Sequence, residues 1–140
     1  DLSAPLTTAA ALKAGVLIVV SIPSQKLFVF RDGALWDSSR VSTGKPGKST
    51  PTGTFTILEK KRRHRSTLYD DAPMPYMQRL TWGGVAMHGG RVPGYRASHG
   101  CIRLPHEFAK KLYSLTDYDS TVVVVTKKRA KSAEQALEAA

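Results

Sequence analysis

The chain of 140 residues is 41% hydrophobic and 23% charged, which excludes a disordered polypeptide and suits one domain that buries its own core without disulfide or metal staples. A single cysteine excludes an internal disulfide, and the apolar runs at residues 16–20 and 122–125 are strand-length, too short to cross a membrane as a helix. The formal net charge of +10 gathers at Lys60, Lys61, Arg62, Arg63 and Arg65 and again at Lys127, Lys128, Arg129 and Lys131, patches that attract nucleic acid, anionic lipid or an acidic wall polymer.

Residues 1–14 carry Ala, Leu and Lys, and Thr7 or Thr8 can cap a short helix that ends near Gly15. No initiating Met and no basic region ahead of an apolar one open the chain, so a mature or trimmed chain is expected. Residues 16–22 form a β-branched run broken by Pro23 and Ser24, and residues 26–30 are strand formers. Asp32-Gly33 then turns the chain into a returning strand over residues 35–43, giving an antiparallel meander. Residues 44–53 are a loop by composition. Its Gly, Lys, Ser and Thr resemble a phosphate-binding loop superficially, but the spacing is wrong and strand-like residues 54–58 follow where a helix is required.

Residues 59–75 run from basic to acidic at Asp70 and Asp71 and are broken by Pro73 and Pro75, the pattern of a long mobile loop or flap. Residues 76–81 and 82–87 read as two short strands, the second delivering His88. Pro105-His106-Glu107 opens a helix to about Leu115 that turns Phe108, Ala109, Leu112 and Tyr113 to the core. A turn at residues 117–120 and a buried strand at 121–126 follow. About eight short strands and one interior helix make the fold mainly β, a sandwich or partly open barrel. The domain is expected over residues 16–126, with 1–15 an extension and 127–140 a charged tail, either a solvated helix or a cloning remnant.

The stretch from His88 to Pro105 concentrates the chemistry. It holds Cys101, His88 and His99 on a backbone rich in Gly and Pro, and a chain built only to pack rarely groups those types. A free thiol is only a few per cent ionised at neutral pH, so a nucleophilic Cys101 needs an imidazole to take its proton. His99 lies two residues away and His88 is brought near by the loop through Pro93 and Gly94; spacing alone does not choose between them. Gly100 lets backbone N–H groups converge as an oxyanion site, and Arg103, on the face of Cys101, is placed to hold a substrate carboxylate or to fix the loop. The plain alternatives are a buried small thiol and a structural histidine. A zinc site from His88, His99 and Cys101 matches no usual ligand spacing. His64 and His106 read as surface residues. Tyr76, Arg79, Trp82 and Tyr95 either line a groove or pack. With no recognition helix and no aromatics among the basics, no nucleic-acid partner is expected.

Ser98-His99-Gly100-Cys101-Ile102-Arg103, preceded by Met87-His88-Gly89, resembles the signature of the L,D-transpeptidase (YkuD-type) catalytic domain. Ser42-Thr43-Gly44-Lys45-Pro46 and Thr50-Pro51-Thr52-Gly53-Thr54-Phe55 are similar to that family's earlier segment, and the likeness runs from about Val16 to Thr126. The resemblance implies a β-sandwich-like fold with one short interior helix, and a cysteine acyltransferase acting on peptidoglycan stem peptides. It implies Cys101 as nucleophile, His88 as the usual base, and His99, Gly100 and Cys101 as the oxyanion backbone. Ser98, Gly89, Arg103, Tyr76 and Tyr95 are the expected substrate contacts. On the same ground the thiol attacks the L-centre carbonyl of the third-position diamino acid, D-Ala leaves, and an amine resolves the thioester into a 3-3 cross-link. Water as acceptor makes an L,D-carboxypeptidase, an amidase or another hydrolase is possible on the same scaffold, and a peptidoglycan-binding module is the non-enzymatic alternative. Carbapenem inhibition, no cofactor or metal, a monomer, and a periplasmic or cell-wall location belong to the same expectation. Two departures stand out: a short interval between His88 and Ser98, and Gly89 where several members carry serine.

Overall fold

The two β-branched runs lie side by side at the centre of the larger of two sheets. In the computed structural model, which describes residues 6–66 and 72–140, the chain opens with α1 (Thr8–Lys13), whose N-cap Thr7 accepts the Ala10 N–H at 3.1 Å. Strands β1 (Val16–Ser21), β2 (Lys26–Arg31) and β3 (Ala34–Arg40) follow as the expected meander. The β2–β3 turn has both central residues in the left-handed region, Asp32 at φ 48° and Gly33 at φ 88°, as a two-residue Asp-Gly hairpin requires. Then come β4 (Gly53–Thr56), β5 (Glu59–Lys61), β6 (Met77–Arg79), β7 (Ala86–Gly89), β8 (Ile102–Leu104), α2 (His106–Leu115), β9 (Thr121–Thr126) and α3 (Ala133–Ala139).

One sheet has the order β3-β2-β1-β9-β4 and the other β5-β6-β7-β8. Two pairings depart from an antiparallel meander. β1 runs parallel to β9, with Val16 opposite Thr121 and Val20 opposite Val125, and β7 runs parallel to β8. β1 and β9 are buried along their whole length, which fits strands covered on both faces. Ile18, Val20, Leu27, Val29, Val123 and Val125 pack against Met87, Ile102, Leu104, Ala109 and Leu112 of the smaller sheet and α2. Leu17, Val19, Phe28, Phe30, Val122 and Val124 face the other way, onto Ala11, Ala130 and Ala136. The chain ends therefore form a third layer. The C-terminal helix is docked rather than solvated, because Ala130 and Ala136 are fully buried on the sheet.

Residues 59–75 also fold more than expected. After β5 the arms at residues 62–66 and 72–76 pair as a ribbon through Tyr76 N–H to Arg62 carbonyl at 2.9 Å, Met74 N–H to His64 carbonyl at 2.7 Å and Ser66 N–H to Ala72 carbonyl at 2.9 Å. Pro73 and Pro75 sit at the alternate positions, where no donor is needed, so neither breaks the pairing. Asp70 and Asp71 lie outside the described residues. The ribbon is tied to β7 by the Gly89 N–H on the Pro75 carbonyl at 2.8 Å. At Gly89 a Cβ would stand 3.2 Å from Pro75 Cγ and 3.4 Å from Ala109 Cβ, so the missing side chain lets ribbon, strand and helix meet there.

Candidate active site

The parallel pair β7–β8 places His88 in register with Arg103, and Cys101 stands two residues before Arg103 at the entrance to β8. Residues two apart on an extended backbone share a face, so this topology turns thiol, guanidinium and imidazole to one side of the small sheet. His88, His99, Ser98, Cys101, Arg91 and Arg103 line one cavity of about 300 Å³. No carboxylate lines it among the described residues.

The turn that presents the thiol is held from three directions. Gly100 adopts φ 128°, a conformation that side-chain-bearing residues rarely take. Its carbonyl accepts the Thr50 hydroxyl at 2.7 Å, and the Thr50 oxygen accepts the Gly44 N–H at 2.9 Å. Ser98 Oγ accepts the Gly100 N–H at 3.1 Å and donates to the Cys101 carbonyl at 2.6 Å. The Gly100 N–H thus points to Ser98 and not into the cavity. Loop 44–50, which resembled a phosphate loop, is a brace: Lys45 N–H bonds the Ser98 carbonyl at 2.9 Å, and Arg96 donates to the Gly44 carbonyl and to Ser49 Oγ, both at 2.8 Å.

His88 is buried, and its Nδ1 lies 2.8 Å from the Gly89 carbonyl. A carbonyl only accepts, so Nδ1 carries the proton and Nε2 keeps its lone pair. Burial pushes the imidazole pKa down, the Arg103 and His64 charges add to that, and the Gly89 bond opposes it. Gly90 packs beside both groups, and a Cβ there would meet His88 Cε1 at 3.6 Å and Arg103 Cγ and Cδ at 3.4 Å, ordinary contact distances. The Cys101 thiol is partly buried against Met74, Met77 and Ala86 and approaches the Gly84 carbonyl at 3.5 Å. Burial pushes its pKa up, against the Ala86 backbone and the Arg103 and Arg79 charges. Both shifts favour the neutral forms, thiol and imidazole.

His99 is exposed at the rim of the same cavity. Tyr76 and Tyr95 do not line it. Tyr76 packs edge-on against His106 and Tyr113, with ring centroids 5.5 and 5.7 Å away. Tyr95 points its side chain to solvent, and its carbonyl accepts the Ser42 hydroxyl at 2.7 Å. Trp82, 74% exposed, lines a neighbouring cavity of about 290 Å³ with Arg79 and His64, and that cavity shares Gly84, Met74 and Ser66 with the first. Arg91 and Met74 were not singled out by sequence, and Thr50 was given no role at the site. Arg91 and Met74 enter the cavity wall only through the fold, whereas Thr50 belongs to the family-like segment, with no role attached to it there. Among the described residues no three His, Cys, Asp or Glu converge as a metal site, and no helix is long and apolar enough to cross a membrane.

A family model of the L,D-transpeptidase catalytic domain matches residues 15–125. The chain belongs to this family. L,D-transpeptidase 1 of Mycobacterium tuberculosis is 28% identical over 126 residues, covering 76% of the chain and 49% of that relative, so the chain spans about half of the relative's length. An L,D-transpeptidase structure from Stackebrandtia nassauensis superposes with a TM-score of 0.75 at 30% identity, covering 86% of the chain and 59% of that one. An LD transpeptidase solved in complex with imipenem gives a TM-score of 0.72 at 25% identity over 79% of the chain and 58% of that one. The mainly β, two-sheet architecture is thus that of the L,D-transpeptidase fold, and the two motif segments quoted from the sequence meet in it: loop 44–50 braces the turn at Gly100.

Proposed function

We propose that this L,D-transpeptidase domain is a cysteine acyltransferase acting on peptidoglycan stem peptides outside the cytoplasm. The carrying observation is that a buried imidazole, whose Nδ1 meets the Gly89 carbonyl so that Nε2 is the basic nitrogen, and the Cys101 thiol line one cavity whose charged walls among the described residues are Arg91 and Arg103, beside the two histidines.

As Sγ attacks the carbonyl on the L-centre of the third-position diamino acid, His88 Nε2 takes the thiol proton. The Cys101 N–H, at the bend made by Gly100, supports the oxyanion of the tetrahedral intermediate. Its collapse forms the thioester and breaks the peptide bond, and the imidazolium returns the proton to the departing D-Ala amine. Nε2 next takes a proton from an acceptor amine as that amine attacks the thioester, and Sγ leaves as the thiol with the proton restored. The product is a 3-3 cross-link. Arg103 and Arg91 suit carboxylates of the stem, and no described residue of the cavity wall is acidic. His99, at the rim, is assigned to positioning the peptide.

The test is acylation by a carbapenem, followed by intact mass. Wild type gains one adduct and Cys101→Ala none; an equal adduct on both, or none on wild type, overturns the reading. Muropeptide analysis after incubation with tetrapeptide stems then separates cross-linked dimers from trimmed tripeptides, the product expected if water is the acceptor.

A further inference from the structure

The pairing of β2 with β3 ends at Lys26 and Arg40, yet the chain beyond Arg40 stays tied to the larger sheet through one residue. The Val41 N–H donates to the Gln25 carbonyl at 3.1 Å, and the Thr43 N–H donates to Gln25 Oε1 at 3.0 Å. Gln25 Nε2 donates in turn to Thr43 Oγ1 and to the Ile22 carbonyl, both at 2.8 Å. A side-chain amide thus supplies the next rung of a ladder whose backbone has already turned away.

The backbone is bent to allow this. A β-turn over residues 22–25 closes through the Gln25 N–H on the Ile22 carbonyl at 3.2 Å, and Gln25 itself sits at φ 49°. Glycine or asparagine is the ordinary choice at such a left-handed position, because a Cβ crowds the backbone there. Glutamine is the poorer residue for the turn, and what it adds is the grip on Thr43. The opposite edge of residues 42–45 carries the turn that presents the thiol. The Ser42 N–H donates to the Arg103 carbonyl at 3.0 Å, the Arg103 N–H to the Ser42 carbonyl at 2.9 Å, and the Ser98 N–H to the Thr43 carbonyl at 3.1 Å. Thr43 is buried with all its polar groups engaged, N–H and hydroxyl on Gln25 and carbonyl on Ser98. Ser98 then holds the Gly100 N–H and the Cys101 carbonyl through its hydroxyl.

We propose that Gln25 is a positioning residue for acyl transfer, fixing the Cys101 thiol through Thr43 and Ser98. It does not line the thiol cavity, so it acts on the reaction only through this chain of bonds. A residue held in an unfavourable backbone region persists where the surrounding structure needs its side chain, and here that need is the Thr43 N–H, which is buried and has no other acceptor. Displacement of Thr43 moves Ser98 and with it the attacking sulfur, whose alignment with a carbonyl tolerates little error. The proposal rests on the acyltransferase reading above.

The experiment is carbapenem acylation of the full chain by stopped flow over a range of concentrations, beside amide hydrogen exchange read by NMR. Gln25→Gly relaxes the turn and deletes the grip. The limiting acylation rate is expected to fall by about 10-fold or more while the half-saturating concentration stays within about 2-fold, the split that a displaced attacking atom gives. Exchange at the Ser98 N–H is expected to speed up by about 10-fold or more. In a Ser98→Ala background the same substitution is expected to slow acylation by less than about 2-fold further, because the hydroxyl clamp on Cys101 is already gone. Pro23→Ala alters the same turn at an exposed position without touching Thr43, and is expected to acylate within about 2-fold of wild type. A wild-type limiting rate in Gln25→Gly, equal costs of that substitution in the two backgrounds, or an equal loss in Pro23→Ala overturns the proposal. No adduct on wild type overturns the acyltransferase reading instead, and exchange then decides alone: unchanged protection at Ser98 overturns the proposal, and lost protection upholds the link from Gln25 to the turn.

Discussion

The Ser98 hydroxyl donates to the Cys101 carbonyl at 2.6 Å while accepting the Gly100 N–H at 3.1 Å, so a residue that lines the cavity also clamps the turn that presents the Cys101 thiol. Ser98→Ala removes both bonds and leaves a buried N–H without its acceptor, a loss of about 1–3 kcal/mol. The turn loosens where a small displacement of the attacking atom is costly, so carbapenem acylation is expected to slow by at least about 10-fold. Urea unfolding and stopped-flow acylation read the two effects. A variant equal to wild type in both would remove Ser98 from the clamp.

If His88 is the general base proposed for Cys101, the directions of the two pKa shifts favour a neutral thiol and imidazole over a preformed thiolate–imidazolium pair. His88 falls below its ordinary 6.5, so the acid limb of the acylation rate is expected below pH 6.5 and is lost in His88→Ala. Cys101 rises above its ordinary 9.0, so alkylation by iodoacetamide is expected to keep climbing past pH 9.0. A neutral-pH plateau in alkylation would indicate a thiolate pair and sink the assignment. The stability terms have matching signs. The His88 term is complete above pH 6.5 and is lost as pH falls, because the unfolded state binds the proton more readily; the Cys101 term is complete below pH 9.0 and is lost as pH rises.

Residue types alone made some of this legible. The valine-rich runs marked β1 and β9 because continuous β-branched stretches suit strands covered on both faces, and Asp32-Gly33 marked its hairpin through the left-handed backbone that it accepts. The parallel direction of β1–β9 was not legible, since a strand's own pattern says nothing of which way its neighbour runs. The same holds at the site. Cys101 and His88 stood out as reactive types among glycines, whereas the bond from Thr50 to the Gly100 carbonyl spans 50 residues, so the motif around Thr50 did not reveal its partner. Tyr76 looked like a groove residue by type, and its packing against His106 and Tyr113 follows only from where α2 docks.

The chain ends contribute to stability. Ala136 is fully buried among residues that include Leu17, Val19, Phe28, Val122 and Val124, and an isolated helix as short as α3, capped by Ser132 on the Gln135 N–H at 3.2 Å, is marginal without that packing. Ala136→Asp puts a charge with no partner into this layer and is expected to cost about 3 kcal/mol or to undock the helix. Ala136→Gly, which keeps the site apolar, is expected to cost about 1 kcal/mol. Thermal unfolding of the two variants separates docking from propensity: equal shifts would mean that the helix does not rest on the sheet.

Two glycines around the turn that carries the Cys101 thiol are required for different reasons, and alanine substitutions tell them apart. At Gly100 a Cβ meets only ordinary contact, with the Lys48 carbonyl oxygen 3.7 Å away, but φ 128° strains any side-chain-bearing residue, so Gly100→Ala is expected to cost about 1–3 kcal/mol through the backbone. At Gly44 the backbone angle is unexceptional, yet a Cβ would fall 1.9 Å from the Lys48 carbonyl oxygen and 2.8 Å from the Thr50 nitrogen. Gly44→Ala must therefore open loop 44–50, which pulls Thr50 from the Gly100 carbonyl and releases the brace under the thiol. Gly44→Ala is expected to be the more damaging of the two, with carbapenem acylation falling by about 100-fold or more as the attacking atom moves out of line. The ordering is checked by acylation rates and thermal unfolding of both variants; a Gly44→Ala protein that acylates at the wild-type rate would mean that the loop does not hold the Cys101 thiol in place.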